Sequence, residues 1–401
     1  MTPRLSGDPT IGERIRARRL VRGWSIRYAA SRAGVSHATW SRIERGLQAA
    51  DNRFMLAEIA GALECSPTEL AGTPVPAADR AAVAAHAEVH GIRQALVDID
   101  LGEPPSSPPP PIGDLARAVA LADTLRQACD YAGANRLTPA LLRDLHAASA
   151  GPERGRALRL MVEATFIASS VLRNLGHPAE AWLGAERCRD AADVTEDPVL
   201  QAYAAYARAS AATACGSYRR GLALAGRAVD DLQPHVGRPG GAAMLGSLQL
   251  ICAYASRGEK RLDDSRAWSA EAAQLASRTG ETTALNLFFG PTNVGIWGIG
   301  IEVDGGDPGR AAEIARNTNP AAIPAGFRQV FYYADTARAL ARLRGRDREA
   351  VRFLLTAERL APQHVHTSAM AQETTRALLE RSRRMAGGTE LRGLCERMSV
   401  S

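Results

Sequence analysis

Five glycines recur through the second half of this 401-residue chain, Gly176, Gly216, Gly258, Gly306 and Gly345, at steps of 40, 42, 48 and 39 residues. Four are followed by small residues at helical spacing: Ala181, Ala185 and Cys188; Gly221, Ala225 and Ala228; Ala311 and Ala315; Ala350 and Ala357. Glycine lets a helix stop and the chain turn back, and small residues let two helices approach closely. The apolar pattern keeps a helical period almost to the C-terminus, with no alternating run long enough for a strand. The expected fold is therefore all-α, its body built from stacked antiparallel helix pairs. Gly258 fits this scheme least well, with about four extra residues before Ala267.

The N-terminal part reads differently. Residues 1–10 carry Pro3, Gly7 and Pro9 and are expected to be a loose tail. Five short helical segments follow, at 11–22, 25–32, 36–45, 53–64 and 66–71. Ser25 and Ser36 stand at N-cap positions, and Gly23, Gly34 and Gly46 at stops. A further helix-compatible stretch runs from Ala77 to Asp100, and then comes LGEPPSSPPPPIG, 101–113, whose six prolines exclude helix and strand alike. The expected division is a tail at 1–10, a helical head at 11–72, a connecting helix with a proline-rich linker at 73–111, and the helical body at 112–401.

Charge separates head from body. Overall 49 Lys+Arg stand against 43 Asp+Glu, but between Ile11 and Arg45 nine arginines face only Glu13 and Glu44. The rest of the chain is nearly neutral, so the head carries a local positive field suited to a polyanion, nucleic acid first.

The segment WSIRYAASRAGVSHATWSRIERG, Trp24 to Gly46, resembles the helix-turn-helix of the Cro and phage-repressor (xenobiotic-response-element) family. The spacing of Ala30, Gly34, Val35 and Ile43, with Trp40 and the RIERG ending, carries the likeness. The resemblance implies a five-helix repressor-type domain that binds double-stranded operator DNA, with a recognition helix beginning at Ser36. His37, Ala38, Thr39 and Arg42 would then face base edges, while Arg27, Ser41, Arg45 and the helix end at Ser25 would meet phosphates. Three positions depart from the family pattern: Ile26, often a phosphate-holding glutamine; Ala29, usually a larger apolar residue; and Arg18, usually apolar.

Enzyme chemistry finds no support in the motifs. HAEVH, 86–90, has Ala87 where a zinc protease requires glutamate, and no phosphate-binding loop or nucleophile elbow occurs. The six cysteines are scattered without a C-x-x-C pair. No catalytic residues, cofactor or metal are expected. Nothing resembles a signal peptide or membrane span, so the expected location is the cytoplasm, at the nucleoid.

The glycine-punctuated body is similar to a tetratricopeptide solenoid, though its steps exceed that family's period of about 34 residues. Taking each glycine as the end of a repeat's first helix puts Glu163, Phe166, Ser170, Arg173 and Asn174 on the concave face. The later repeats add Tyr203, Tyr206, Ser210 and Thr213, then Leu245 and Leu248, Asn293 and Ile296, and Tyr332 and Asp335, with Trp297 close by. Aromatics mixed with amides, hydroxyls and an arginine suit a peptide or medium-sized organic ligand. A repressor-type head on such a body is similar in architecture to peptide-sensing quorum regulators, which implies a homodimer responding to a peptide or small-molecule effector. The alternative is a DNA-tethered scaffold whose solenoid docks a protein partner.

Overall fold

The computed structural model describes residues 9–72, 79–383 and 388–400. Among them every regular element is helical. The head comprises α1 (Ile11–Val21), α2 (Ile26–Arg32), α3 (His37–Glu44), α4 (Arg53–Ala62) and α5 (Pro67–Ala71). Each has an oxygen-bearing N-cap, Thr10, Ser25, Ser36, Asn52 and Ser66, that accepts from an amide of the first turn. Thr10 and Ser66 complete capping boxes with Glu13 and Glu69. Ile15, Trp40, Ile59, Leu63 and Leu70 are fully buried at its centre.

Two helices, α6 (Arg80–Ala87) and α7 (Val89–Asp98), precede the proline run. They correct the expected division. Both pack on the second helix after the run, α9 (Tyr131–Ala148), and Ala85, Val89, Ile92 and Leu96 join the core of the body. Asn135 Nδ2 donates to the carbonyl of Ala85 at 2.9 Å, and Arg187 Nε to that of Leu96 at 2.7 Å. The body thus begins by Arg80, and the prolines form a largely exposed loop between α7 and α8 (Ile112–Gln127), not a linker between domains. Stiff extended backbone suits such a loop as well as it suits a spacer, which is why composition alone misplaces the boundary.

The remaining helices are α10 (Arg154–Asn174), α11 (Pro178–Thr195), α12 (Pro198–Ala214), α13 (Tyr218–Leu232), α14 (Gly241–Gly258), α15 (Leu262–Thr279), α16 (Pro291–Asp304), α17 (Pro308–Arg316), α18 (Gly326–Ala341), α19 (Asp347–Leu360), α20 (Pro362–His366), α21 (Ala369–Arg383) and α22 (Thr389–Arg397). From α10 to α19 they stack as a repeat-like series of hairpins. Each even-numbered helix packs on its odd-numbered successor and on the next even-numbered helix. Gly176, Gly216, Gly306 and Gly345 sit in the hairpin turns with φ between 78° and 88°, a conformation that strains any residue with a Cβ.

Gly258 is the exception. It ends α14 in helical backbone, and Lys260, at φ 62°, takes the left-handed position instead. A Cβ on Gly258 would lie 2.6 Å from the Tyr218 ring, so this glycine is required by helix contact. Gly246 plays a similar part, admitting the fully buried ring of Phe289 where a methyl would overlap it.

The two ends of the stack meet. α8 packs on α18 and α6 on α20, with Tyr131 Oη 2.8 Å from His364 Nδ1 and His366 Nδ1 2.7 Å from Asp79 Oδ2. Among the described residues, no helix is long and apolar enough to cross a membrane.

Candidate functional site

The head holds its recognition surface through buried charge. Arg19 donates from Nε and Nη2 to the two oxygens of Glu44, at 2.6 and 2.8 Å, and from Nη1 to the carbonyl of Trp24. Trp40 Nε1 donates to the same carboxylate at 2.6 Å. One glutamate at the end of α3 therefore fixes α1, the α1–α2 turn and the core indole together. That is the structural content of the RIERG ending, and sequence reasoning missed Arg19 and Glu44 in this role. Hydrogen bonding to Glu44 outweighs desolvation and raises the Arg19 pKa. Gly12 completes the crossing, since a Cβ there would overlap the carbonyl of Ile43.

The nine arginines between Ile11 and Arg45 divide accordingly. Arg14 binds the carbonyl of Ala71, Arg18 pairs with Glu69 at 3.1 Å, and Arg22 lies 3.8 Å from Glu64. Arg18 thus occupies an expected apolar position by pairing at the surface. Arg27, Arg42 and Arg45 are exposed and make no ion pair among the described residues. On the same two helices and their caps, Ser25, Ser36, His37 and Ala38 are exposed and Thr39 and Ser41 half-buried. The Ser36 hydroxyl donates to Thr39 Oγ1 at 2.8 Å, which leaves the Thr39 proton for an outside acceptor. Ile26 lies half-buried against the head core and Ala29 is fully buried, so neither departure opens the fold.

Exposed Arg27, Arg42 and Arg45 make the surface of this braced pair of helices positively charged. Residues 10–72 match the family model of a helix-turn-helix domain. The chain carries an N-terminal helix-turn-helix DNA-binding domain, as expected of a DNA-binding regulator. No curated protein matches the chain.

The head is seated on the body through a buried ionic joint. Arg338, 1% exposed at its side chain, donates from Nε to the carbonyl of Asp51 at 3.1 Å, from Nη1 to Asp335 at 2.7 Å and from Nη2 to Asp304. Arg53 on α4 reaches Asp304 at 2.8 Å and Asp335 at 3.3 Å, and Arg342 reaches the Asp51 carboxylate at 2.7 Å. Burial alone would raise the Asp304 pKa, but Arg338 and Arg53 outweigh it and hold the carboxylate well below its ordinary range. Met370 of α21 inserts into the head's own core, and Phe54 packs edge-on against Tyr218, ring centroids 5.2 Å apart.

Between head and body lies a cavity of about 340 Å³. Phe166, Ser170, Arg173, Asn174, Tyr206 and Trp297, all expected in the groove, line it. Exposed Glu163, and Leu245 and Leu248, which are buried in the body core, do not line it, and neither do three further expected groove residues. Tyr203 is buried behind Phe166, with ring centroids 4.3 Å apart. Asn293 is buried and donates to the carbonyl of Leu287 at 3.2 Å, bracing the segment before α16. Tyr332 donates to the carbonyl of Ala315 at 3.0 Å and packs beside Tyr333 and Phe353. In each case inter-helix packing claims the side chain. The wall also contains residues the repeat pattern could not supply: Arg126 from α8, Arg328 from the start of α18, and Arg53, Leu56 and Thr68 from the head.

Proposed function

We propose that this chain is a transcription regulator of the xenobiotic-response-element type that binds operator DNA as a homodimer and answers to an effector in the cavity between its head and a tetratricopeptide-like body. The observation that carries the DNA half is the α2–α3 face, where the only head arginines besides Arg16 and Arg32 without carboxylate or carbonyl partners among the described residues are Arg27, Arg42 and Arg45. With α3 in the major groove, His37, Ala38, Thr39 and Arg42 read base edges, and Arg27, Ser41, Arg45 and the capped helix end at Ser25 hold phosphates. The protein then acts as a binder and not an enzyme, in the cytoplasm at the nucleoid.

The effector half is supported by the cavity's composition, since both head and body residues line it and a bound molecule would touch both. Its volume suits a small molecule better than an extended peptide. A protein partner docking along the same groove would have to displace the head, which disfavours the scaffold alternative.

The test is DNA binding by Arg42→Ala and Arg45→Ala at several salt concentrations. Arg42→Ala is expected to lose about 1–3 kcal/mol of preference for the specific site. Arg45→Ala weakens specific and random duplexes alike and lowers the salt slope by about 1. Unchanged sequence preference in Arg42→Ala refutes the role given to that residue.

A further inference from the structure

The cavity wall holds more positive charge than it neutralises. The Arg173 guanidinium makes no ion pair and no hydrogen bond among the described residues. Among the described residues the Arg328 guanidinium, in a side chain 8% exposed, has only Tyr206 Oη at 3.5 Å within reach, and its Nε has no acceptor. Its cation is otherwise met by the faces of Phe327, 4.8 Å away, and Trp297, 5.8 Å away. Arg126, 2% exposed, gives Nε to Asp123 at 2.6 Å, yet its Nη2 is buried without a partner among the described residues. The hydroxyl of Ser210, also lining the cavity, is likewise buried and has no hydrogen bond among the described residues.

The nearby carboxylates are already committed. Asp335 serves Arg53 and Arg338, and Asp123 serves Arg126 and Gln127. Guanidinium groups stay charged in proteins, so burying them without acceptors lowers stability unless something else supplies the acceptors. Burial, together with the neighbouring Arg328 and Arg126, pulls the Arg173 pKa down from its ordinary value. Around these polar groups the wall is apolar and aromatic, with Phe166, Ile251, Ile296, Trp297 and Phe327.

We propose that this cavity binds an organic anion, a carboxylate or phosphate head on a flat apolar body, with the head seated on Arg173 and Arg328 and the body against the aromatic wall. The proposal rests on the effector reading above and adds the ligand's chemical class. Planar guanidinium groups match the two or three oxygens of such a head, and the aromatic lining excludes water from the pair. Arg53 and Thr68 of the head domain border the same space, so an anion held there contacts the DNA-binding unit directly.

Calorimetric titration of the full chain with 1-naphthaleneacetate, 1-naphthyl phosphate and the uncharged 2-(1-naphthyl)ethanol tests this. At least one anion is expected to bind about tenfold or more tighter than the alcohol, and the tighter head identifies the ligand class. Arg173→Met and Arg328→Met should each remove that advantage while leaving the melting temperature of the ligand-free protein equal or higher. Equal binding of alcohol and anions overturns the anionic class and leaves the effector reading standing. Absence of binding by all three overturns both. A large fall in melting temperature in both methionine variants shows the guanidiniums to be structural ties and overturns the proposal.

Discussion

Arg338→Met removes the charge at the centre of the head–body joint while keeping most of the side chain's volume. In the native chain this guanidinium serves the Asp51 carbonyl and the Asp304 and Asp335 carboxylates, all at nearly dry positions. Stranding buried carboxylates in this way costs about 3–5 kcal/mol. Arg53 still faces both aspartates at 2.8 and 3.3 Å, so the expected loss is near the lower end, about 3 kcal/mol. Because the head and the body each have a separate core, the loss falls on docking first. Urea denaturation followed by circular dichroism should show an early transition for release of the head, and amide exchange should rise at α4, α16 and α18. Combining the change with Asp304→Asn should cost less than the sum of the two single variants by about 1 kcal/mol or more, since each single variant strands the other's charge. A variant within about 0.5 kcal/mol of wild type, with no coupling to Asp304, refutes the reasoning.

Two further perturbations probe the head and the junction where the ends of the stack meet. Gly12→Ala pushes a methyl into the Ile43 carbonyl and is expected to cost about 1–3 kcal/mol and to loosen DNA binding. Unaltered melting and affinity would show that α1 and α3 can separate freely. His366 lies between Glu358 and Asp79; burial lowers its pKa, but the hydrogen bonds to those carboxylates outweigh it and the net shift is upward. Its stabilising contribution is therefore full below the unfolded histidine value of 6.5 and is lost as pH rises through the higher folded value. Melting curves of wild type and His366→Gln should differ most in mild acid and converge in alkali, and a pH-independent difference would mean that the imidazole is uncharged. His364 and His86 act oppositely. Burial lowers both to about 4, with His177 also acting on His86, so they withdraw stability as pH falls from 6.5 toward 4.

What could be read in the sequence was what repeats or caps locally. The glycine steps gave the hairpin turns, and Ser25, Ser36 and the Trp24–Gly46 motif located α2 and α3, because each signal lies within one turn of the element it shapes. Gly258 misled because a glycine required for contact with Tyr218 looks the same, in sequence, as one required for a turn. The proline run misled because stiffness says nothing about whether the flanking helices share a core. The joint and the cavity were illegible for a further reason. Asp51 meets Arg338, and Arg126 meets Phe327, across roughly two hundred residues or more, where no periodicity connects the partners. Nothing in the local sequence marks Arg126, Arg328 and Arg338 for burial, yet they are buried polar groups of the molecule's central space.

The central claim is that the α2–α3 face of this chain recognises a defined DNA sequence. Selection of bound duplexes from a random pool by the full-length protein tests it most directly, followed by titration of the enriched duplex and a scrambled one at the same salt concentration. The account predicts an enriched motif of two related half-sites about 10–10.5 base pairs apart, or a multiple of that, bound on the order of 10³-fold or more above the scrambled duplex. No enriched motif, or equal affinity for both duplexes, would contradict it.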